Sequence, residues 1–285
     1  MLYGGDRLKV AGPLEFLCLF RLWYITCGAY EKASFPLIDI HCDCGFVLRG
    51  RDKKTETPED NQANFENQKA LAIASFRRGN FKQALDEIDA AQKLNAEDAE
   101  VYLIKGAIYF KLKDYPQAAD GYRKALEINP SYTAARFNLC GLYLAEKKYQ
   151  EVITECEAVV ADPAYDARAN AYTNIGIAYF SLGDMVKAKD NYDQALQINP
   201  SFVYARNEMG KLYMSTGRYA QAATEFELAI AGYDAYEEAH YNLALAHLKV
   251  NNMQGACTEF AKVVELSPSS EFGINSTRYL NTVCQ

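Results

Sequence analysis

A chain of 285 residues, 49% of them apolar and 24% charged, holds enough material for an ordinary buried core. Its formal net charge of -7 argues against a surface built to hold nucleic-acid phosphates. The most apolar window of membrane-spanning length, Ala11 to Tyr30, is interrupted by Glu15 and Arg21 and does not read as a membrane span.

Residues 1–63 are expected to lie outside the fold. Arg7 and Lys9 precede "GPLEFLCLFRLWYITC", an atypical signal region with two charges in its apolar part. "RGRDKKTETPEDNQ", Arg49 to Gln62, has no core-forming residue and reads as a disordered, solvated linker. Cys42-Asp43-Cys44 stands beside His41 but lacks the second pair that a zinc site needs, so no metal is expected.

From Phe65 onward small residues recur with a period of 34, giving six units: Phe65–Asp98, Ala99–Tyr132, Thr133–Arg168, Ala169–Phe202, Val203–Tyr236 and Glu237–Ser270. The eighth place holds Ala72, Gly106, Cys140, Gly176, Gly210 and Ala244. The twentieth holds Ala84, Ala118, Val152, Ala188, Ala222 and Ala256. Large residues recur at the eleventh place and at the twenty-fourth, where Ile88, Tyr122, Cys156, Tyr192, Phe226 and Phe260 stand. Small residues let two antiparallel helices approach, and large ones fill the space between successive hairpins. "INPS" at Ile128–Ser131 and Ile198–Ser201, and "LSPS" at Leu266–Ser269, end second helices, because proline forbids continuation. A single hairpin cannot bury its own apolar face, so the units must stack. The expected fold is all-α: a right-handed solenoid of six hairpins over residues 64–285, closed by a C-terminal helix carrying Tyr279, Leu280 and Val283.

These residues resemble the tetratricopeptide repeat pattern over Phe65 to Ser270. The resemblance implies that each first helix lines an inner groove through its second, fifth, ninth and twelfth places. Those places hold Phe76, Phe110, Phe137, Ile177, Phe180, Tyr204, Asn207, Met214 and Tyr241, and the sixth place beside them adds the amides Asn138, Asn174 and Asn242. Such a channel suits the apolar face of a helix or an extended peptide; the alternative is tighter curvature, with the rings packing on one another. The amides suit a clamp on a peptide backbone, or hydrogen bonds between adjacent repeats. The basic clamp of chaperone-binding members is not reproduced. His240 and His247 fall at packing places and read as structural. With no phosphate loop, nucleophile elbow or paired carboxylates, neither a cofactor nor an enzymatic activity is expected.

The third unit has 36 residues, the extra two falling in "ADPAYDARANA" with Asp162, Pro163, Tyr165 and Arg168. A longer connection there resets the angle between the two halves or presents a docking point. Cys140 and Cys156 fall at packing places in this unit, close enough for a disulfide, with two buried thiols as the expected state. Repeat count, insertion site and the residues Asp162, Pro163, Tyr165, Ala171, Asn174 and Gly176 resemble the type IV pilus pilotin family. That resemblance implies a lipoprotein at the periplasmic face of the outer membrane that binds a secretin subunit, helps the secretin assemble and supports pilus-driven motility. The membrane would then be met only through an N-terminal lipid anchor, and no nucleic acid is involved. The residues before Cys18, Cys27, Cys42 and Cys44 are Leu17, Thr26, His41 and Asp43, none of them the small residue that lipidation requires. A general scaffold for another complex, in cytoplasm or periplasm, is the competing expectation.

Overall fold

The computed structural model describes residues 57–284, which contain thirteen α-helices and no strand. The first hairpin is α1 (Pro58–Arg77) with α2 (Phe81–Leu94), and the second is α3 (Ala99–Lys111) with α4 (Tyr115–Ile128). The third and fourth are α5 (Thr133–Ala145) with α6 (Tyr149–Val160), and α7 (Arg168–Ser181) with α8 (Met185–Ile198). The fifth and sixth are α9 (Val203–Ser215) with α10 (Tyr219–Gly232), and α11 (Glu237–Lys249) with α12 (Met253–Leu266), followed by α13 (Glu271–Val283). Each hairpin packs on the next, and first helices also touch the first helices of their neighbours, which is the expected α-solenoid.

Helix α1 begins at Pro58, inside the stretch expected to be linker. Thr57 caps it: the Asp60 N–H donates to the Thr57 hydroxyl and the Thr57 N–H donates to the Asp60 carboxylate, each at 3.1 Å. Pro58 sits at the first helical turn, where its missing N–H costs nothing. The first core residue is still Phe65, so the added turns are solvated. The expected signal region and the Cys42–Cys44 cluster lie outside the described residues.

Every alanine or valine at the twentieth place is 0% exposed, as are Ala91, Ala125, Val159, Ala195, Ala229 and Val263 at the twenty-seventh. The twenty-fourth place does more than fill space between hairpins. A β-carbon on Gly106 would stand 2.6 Å from Cδ1 of Tyr122, and β-carbons on Gly176 and Gly210 would overlap the rings of Tyr192 and Phe226. The ring therefore occupies the volume its own hairpin's glycine leaves open, while Tyr192 also reaches Met209 and Leu212 of the next hairpin. The fifteenth place closes each turn in the left-handed region, with Gly79, Gly183 and Gly217 in three hairpins and Lys113, Lys147 and Asn251 in the others, at φ between 59° and 87°.

Helix α13 packs in the phase of a seventh first helix, burying Gly273 and Ser276. Tyr279 stacks on Phe260 at 4.5 Å, and Leu280 joins the same cluster. Where a hairpin would meet its own second helix, α13 instead leaves Ile274 and Arg278 exposed, so the stack ends there.

Candidate functional site

The inner wall is built from half-buried rings, each held by a specific neighbour. Phe76 and Phe110 lie 5.8 Å from Phe81 and Tyr115, the first residues of the following helices, so these two rings fold over their own hairpin turns. Ile177, Phe180 and Met214 pack against the cluster containing Tyr192 and Leu212. Tyr204 meets the edge of Phe202 at 6.3 Å; burial, helped by the charge of Glu208, pushes its phenol up to about 12. Tyr241 stands differently from the expectation of an open wall. It touches Phe260, Phe272 and Tyr279 at 5.8, 5.2 and 6.5 Å, so the capping helix covers part of it.

The amides divide. Asn138 and Asn242 are half-buried, whereas Asn174 is 8% exposed and Asn207 is 0% exposed. Asn242 Nδ2 donates to Asn207 Oδ1 at 3.0 Å across adjacent hairpins, and Asn174 Nδ2 points at Cys140 Sγ at 3.9 Å. Full burial therefore removes Asn207 from the surface that a peptide could touch, with its Oδ1 held by Asn242 of the next hairpin. Its partner Asn242 keeps partial access.

Charge is concentrated at two places on the wall. Lys69, 8% exposed, lies against Glu100 at 2.9 Å, Asp98 at 3.3 Å and Glu66 at 3.4 Å. Lys211 joins Glu208 at 2.8 Å to Glu238 at 3.2 Å. Burial pushes the Glu208 carboxyl up, and the Lys211 ammonium partly offsets it. A buried acid beside a lysine in the fifth hairpin is invisible to a search for small and large residues; only the charge of Lys211 at an inward place hints at it.

A second repeated device lies between paired helices. Arg136 and Arg206 reach Glu155 and Glu225 of their own hairpins at 3.2 and 2.7 Å, and also bond the Pro130 and Pro200 carbonyls. In the sixth hairpin His240 takes the same place, with Nδ1 on Glu259 at 2.5 Å and Nε2 on the Asp234 carbonyl at 2.8 Å. His240 is 4% exposed and serves the packing role its position suggested.

The connection between hairpins three and four runs from Ala161 to Ala167, against four residues at the other joints. Helix α6 is two residues shorter than the other second helices, and α7 gains one at its start. Asp162 organises the loop by accepting from the Thr133 hydroxyl at 2.6 Å and from the Ala164 N–H at 3.1 Å. Those bonds, the Thr133 one first, hold its carboxyl below the usual range, with Arg168 at the start of α7 adding charge. Pro163 is exposed. Tyr165 lays its ring 5.8 Å from Phe137, so the insertion leans on a residue of the inner wall.

Cys140 and Cys156 are joined in a disulfide, with Cα atoms 5.6 Å apart, which corrects the expectation of two thiols. The eighth and twenty-fourth places face each other in every hairpin, and here sulfur–sulfur bonding replaces glycine against ring. A second disulfide, Cys257–Cys284, ties α12 to the end of α13 and carried no spacing signal. Among the described residues no group of three His, Cys, Asp or Glu side chains is placed to hold a metal, and no helix is long and apolar enough to cross a membrane.

Comparison with known proteins agrees with this architecture. Two family models, each described as tetratricopeptide repeat, match residues 99–132 and 169–202 in one case and 207–271 in the other. The chain is 25% identical over 222 residues to tetratricopeptide repeat protein 6 of Homo sapiens, covering 75% of this chain and 41% of that protein. It is 24% identical over 163 residues to the type IV pilus assembly protein PilF of Pseudomonas aeruginosa, covering 57% of this chain and 64% of that one. The chain thus spans less than two thirds of either relative. Two solved structures share the fold. PilW, titled a widely conserved type IV pilus biogenesis factor, gives a TM-score of 0.68 at 22% identity, covering 75% of this chain and 98% of that one. Pseudomonas aeruginosa PilF gives 0.66 at 18% identity, covering 76% and 98%. Six stacked hairpins, with the matched repeats falling on hairpins two, four, five and six, show that the chain is built of tetratricopeptide repeats.

Proposed function

We propose that this chain is a pilotin-like factor that grips an apolar segment of a secretin subunit in its inner groove, for assembly and outer-membrane placement of a type IV pilus secretin. The observation that carries this reading is the contact of Tyr165 with Phe137. It couples the lengthened joint, on which the pilotin resemblance rests, directly to the aromatic wall. The sequence similarity to PilF supports it, as does a solenoid that extends over most of the PilW and PilF chains. Two disulfides suit folding in an oxidising compartment such as the periplasm. The groove residues assigned to binding are Phe76, Phe110, Phe137, Asn138, Ile177, Phe180, Tyr204, Met214 and the accessible parts of Tyr241 and Asn242, with Asp162, Pro163, Tyr165 and Arg168 at the joint. Asn174 and Asn207 support the wall from behind it. Nothing in the arrangement calls for chemistry beyond binding.

The test is recovery of a secretin from envelope extracts by the tagged protein, together with pilus assembly in a deletion strain. No secretin captured and normal pili would overturn the proposal and favour a general scaffold, a reading that fractionation to the cytoplasm would strengthen. Phe137→Ala with Phe180→Ala should weaken capture at least about tenfold while leaving helicity intact, since buried aromatic anchors carry most of such binding energy. Undiminished capture would move the site off this wall.

A further inference from the structure

Helix α13 does more than close the stack. In the phase of a first helix its inner places are Phe272, Asn275, Tyr279 and Thr282, so the groove wall continues one helix beyond the sixth hairpin. Between this helix and Tyr241 of α11 lies a cavity of about 310 Å³, lined by Tyr241, Asn275, Arg278, Tyr279 and Thr282. That volume accommodates a side chain and its flanking backbone, with phenol, amide and hydroxyl groups around a guanidinium.

Among the described residues the charge on that guanidinium meets no carboxylate. The two cations of the wall itself, Lys69 and Lys211, are each held by two or more carboxylates, whereas Arg278 borders the wall from the exposed face of α13 and reaches the same cavity. Arg278 bonds only the Asn275 amide oxygen, at 3.5 Å, and among the described residues no carboxylate stands within 4.0 Å of it. A planar fork of N–H donors beside a polar-lined cavity matches a carboxylate in two-point contact. Elsewhere on the wall Lys69 and Lys211 are matched by carboxylates, among them Glu100 and Glu238, and the remaining places carry rings, apolar groups and amides, so this is where it would attract a negative side chain.

We propose that the Tyr241–α13 cavity is an acidic-residue subsite of the groove, in which Arg278, aided by Asn275, receives a Glu or Asp side chain of the bound polypeptide. The inference rests on the groove reading above and adds the orientation of the ligand: its acidic residue lies at the α13 end and its apolar residues lie toward Phe137. An extended segment running past α13 need not end there, which favours a side chain over a chain terminus.

The test uses the full chain and a synthetic array of N-acetylated, C-amidated peptides with alternating Leu and Phe. Each member carries one Glu, and each is paired with the same peptide carrying Gln. Retained peptides should prefer Glu about tenfold, the preference should fade with added salt, and Arg278→Met should abolish it. Arg278→Lys should keep part of it, and Lys249→Met, which removes an exposed charge elsewhere, should leave it unchanged. Equal retention of Glu and Gln peptides, or a Glu preference that survives Arg278→Met, overturns the subsite while leaving the groove reading in place. Retention confined to peptides with a free C-terminus overturns the side-chain assignment. Retention of none by any variant sinks the groove reading along with it.

Discussion

In hairpin four the eighth place is Gly176 and the twenty-fourth is Tyr192, whose ring fills the space that a β-carbon would need. Hairpin three holds Cys140 and Cys156 at the same two places, and they are covalently joined. Both arrangements keep the paired helices in register. The first does so by burying a large ring at 0% exposure against a bare backbone, which is non-covalent and depends on shape. The second depends on redox state, and it sits in the hairpin that immediately precedes the lengthened joint. Where the stack changes its step, packing alone has been supplemented by a cross-link.

Removing the cross-link should have the largest effect. Cys140→Ala with Cys156→Ala should cost about 3 kcal/mol or more, from a lost loop constraint and an unfilled core, seen as a lower urea midpoint. If the two solutions are equivalent, Cys140→Gly with Cys156→Tyr should recover most of that loss without any disulfide. A variant no more stable than the double alanine would show that the hairpins are not interchangeable at this pair. In the opposite direction, Gly176→Val forces a branched side chain into the Tyr192 ring and should cost roughly 2–3 kcal/mol by the same measurement.

The paired bases provide a smaller, pH-dependent contrast between hairpins. Burial pulls the imidazole of His240 down, but its bonds to Glu259 and to the Asp234 carbonyl outweigh this and hold it above its usual value. A folded-state pKa above the unfolded one, about 6.5, contributes stability that is fully present below that value. This contribution is lost as pH rises through the raised folded value. Stability read from melting curves should therefore decline between pH 5.5 and 9, and His240→Arg, copying Arg136 and Arg206, should flatten the decline. An unchanged slope in the arginine variant would assign the pH dependence elsewhere. The smallest effect is at the turns: Lys147→Gly relieves a left-handed residue at φ 59° and should raise stability by up to about 1 kcal/mol.

How far the repeat could be read in advance follows from what periodicity records. Ala84, Ala118 and their counterparts recur because two backbones approach at one height in every hairpin, so a single-letter pattern was enough to position twelve hairpin helices and the cap. The start of α1 escaped because Thr57 and Asp60 act through hydrogen bonds and not apolar burial. Phe137 and Tyr165 were each named as candidates, but their contact depends on how a seven-residue joint folds back, which no residue pattern encodes.

Composition and spacing alone determined the all-α class, the six hairpins and the lengthened joint, since each is a local or periodic demand on residue size. Tertiary structure alone decided that Asn207 faces Asn242 and not the groove, that Cys140 bonds Cys156, that Cys257 meets Cys284, and that Arg278 meets no carboxylate among the described residues. Those outcomes depend on the angle and distance between helices far apart in sequence. A difference of an ångström or two there separates a bonded pair from two solvated side chains, and it is set by the packing of the whole stack.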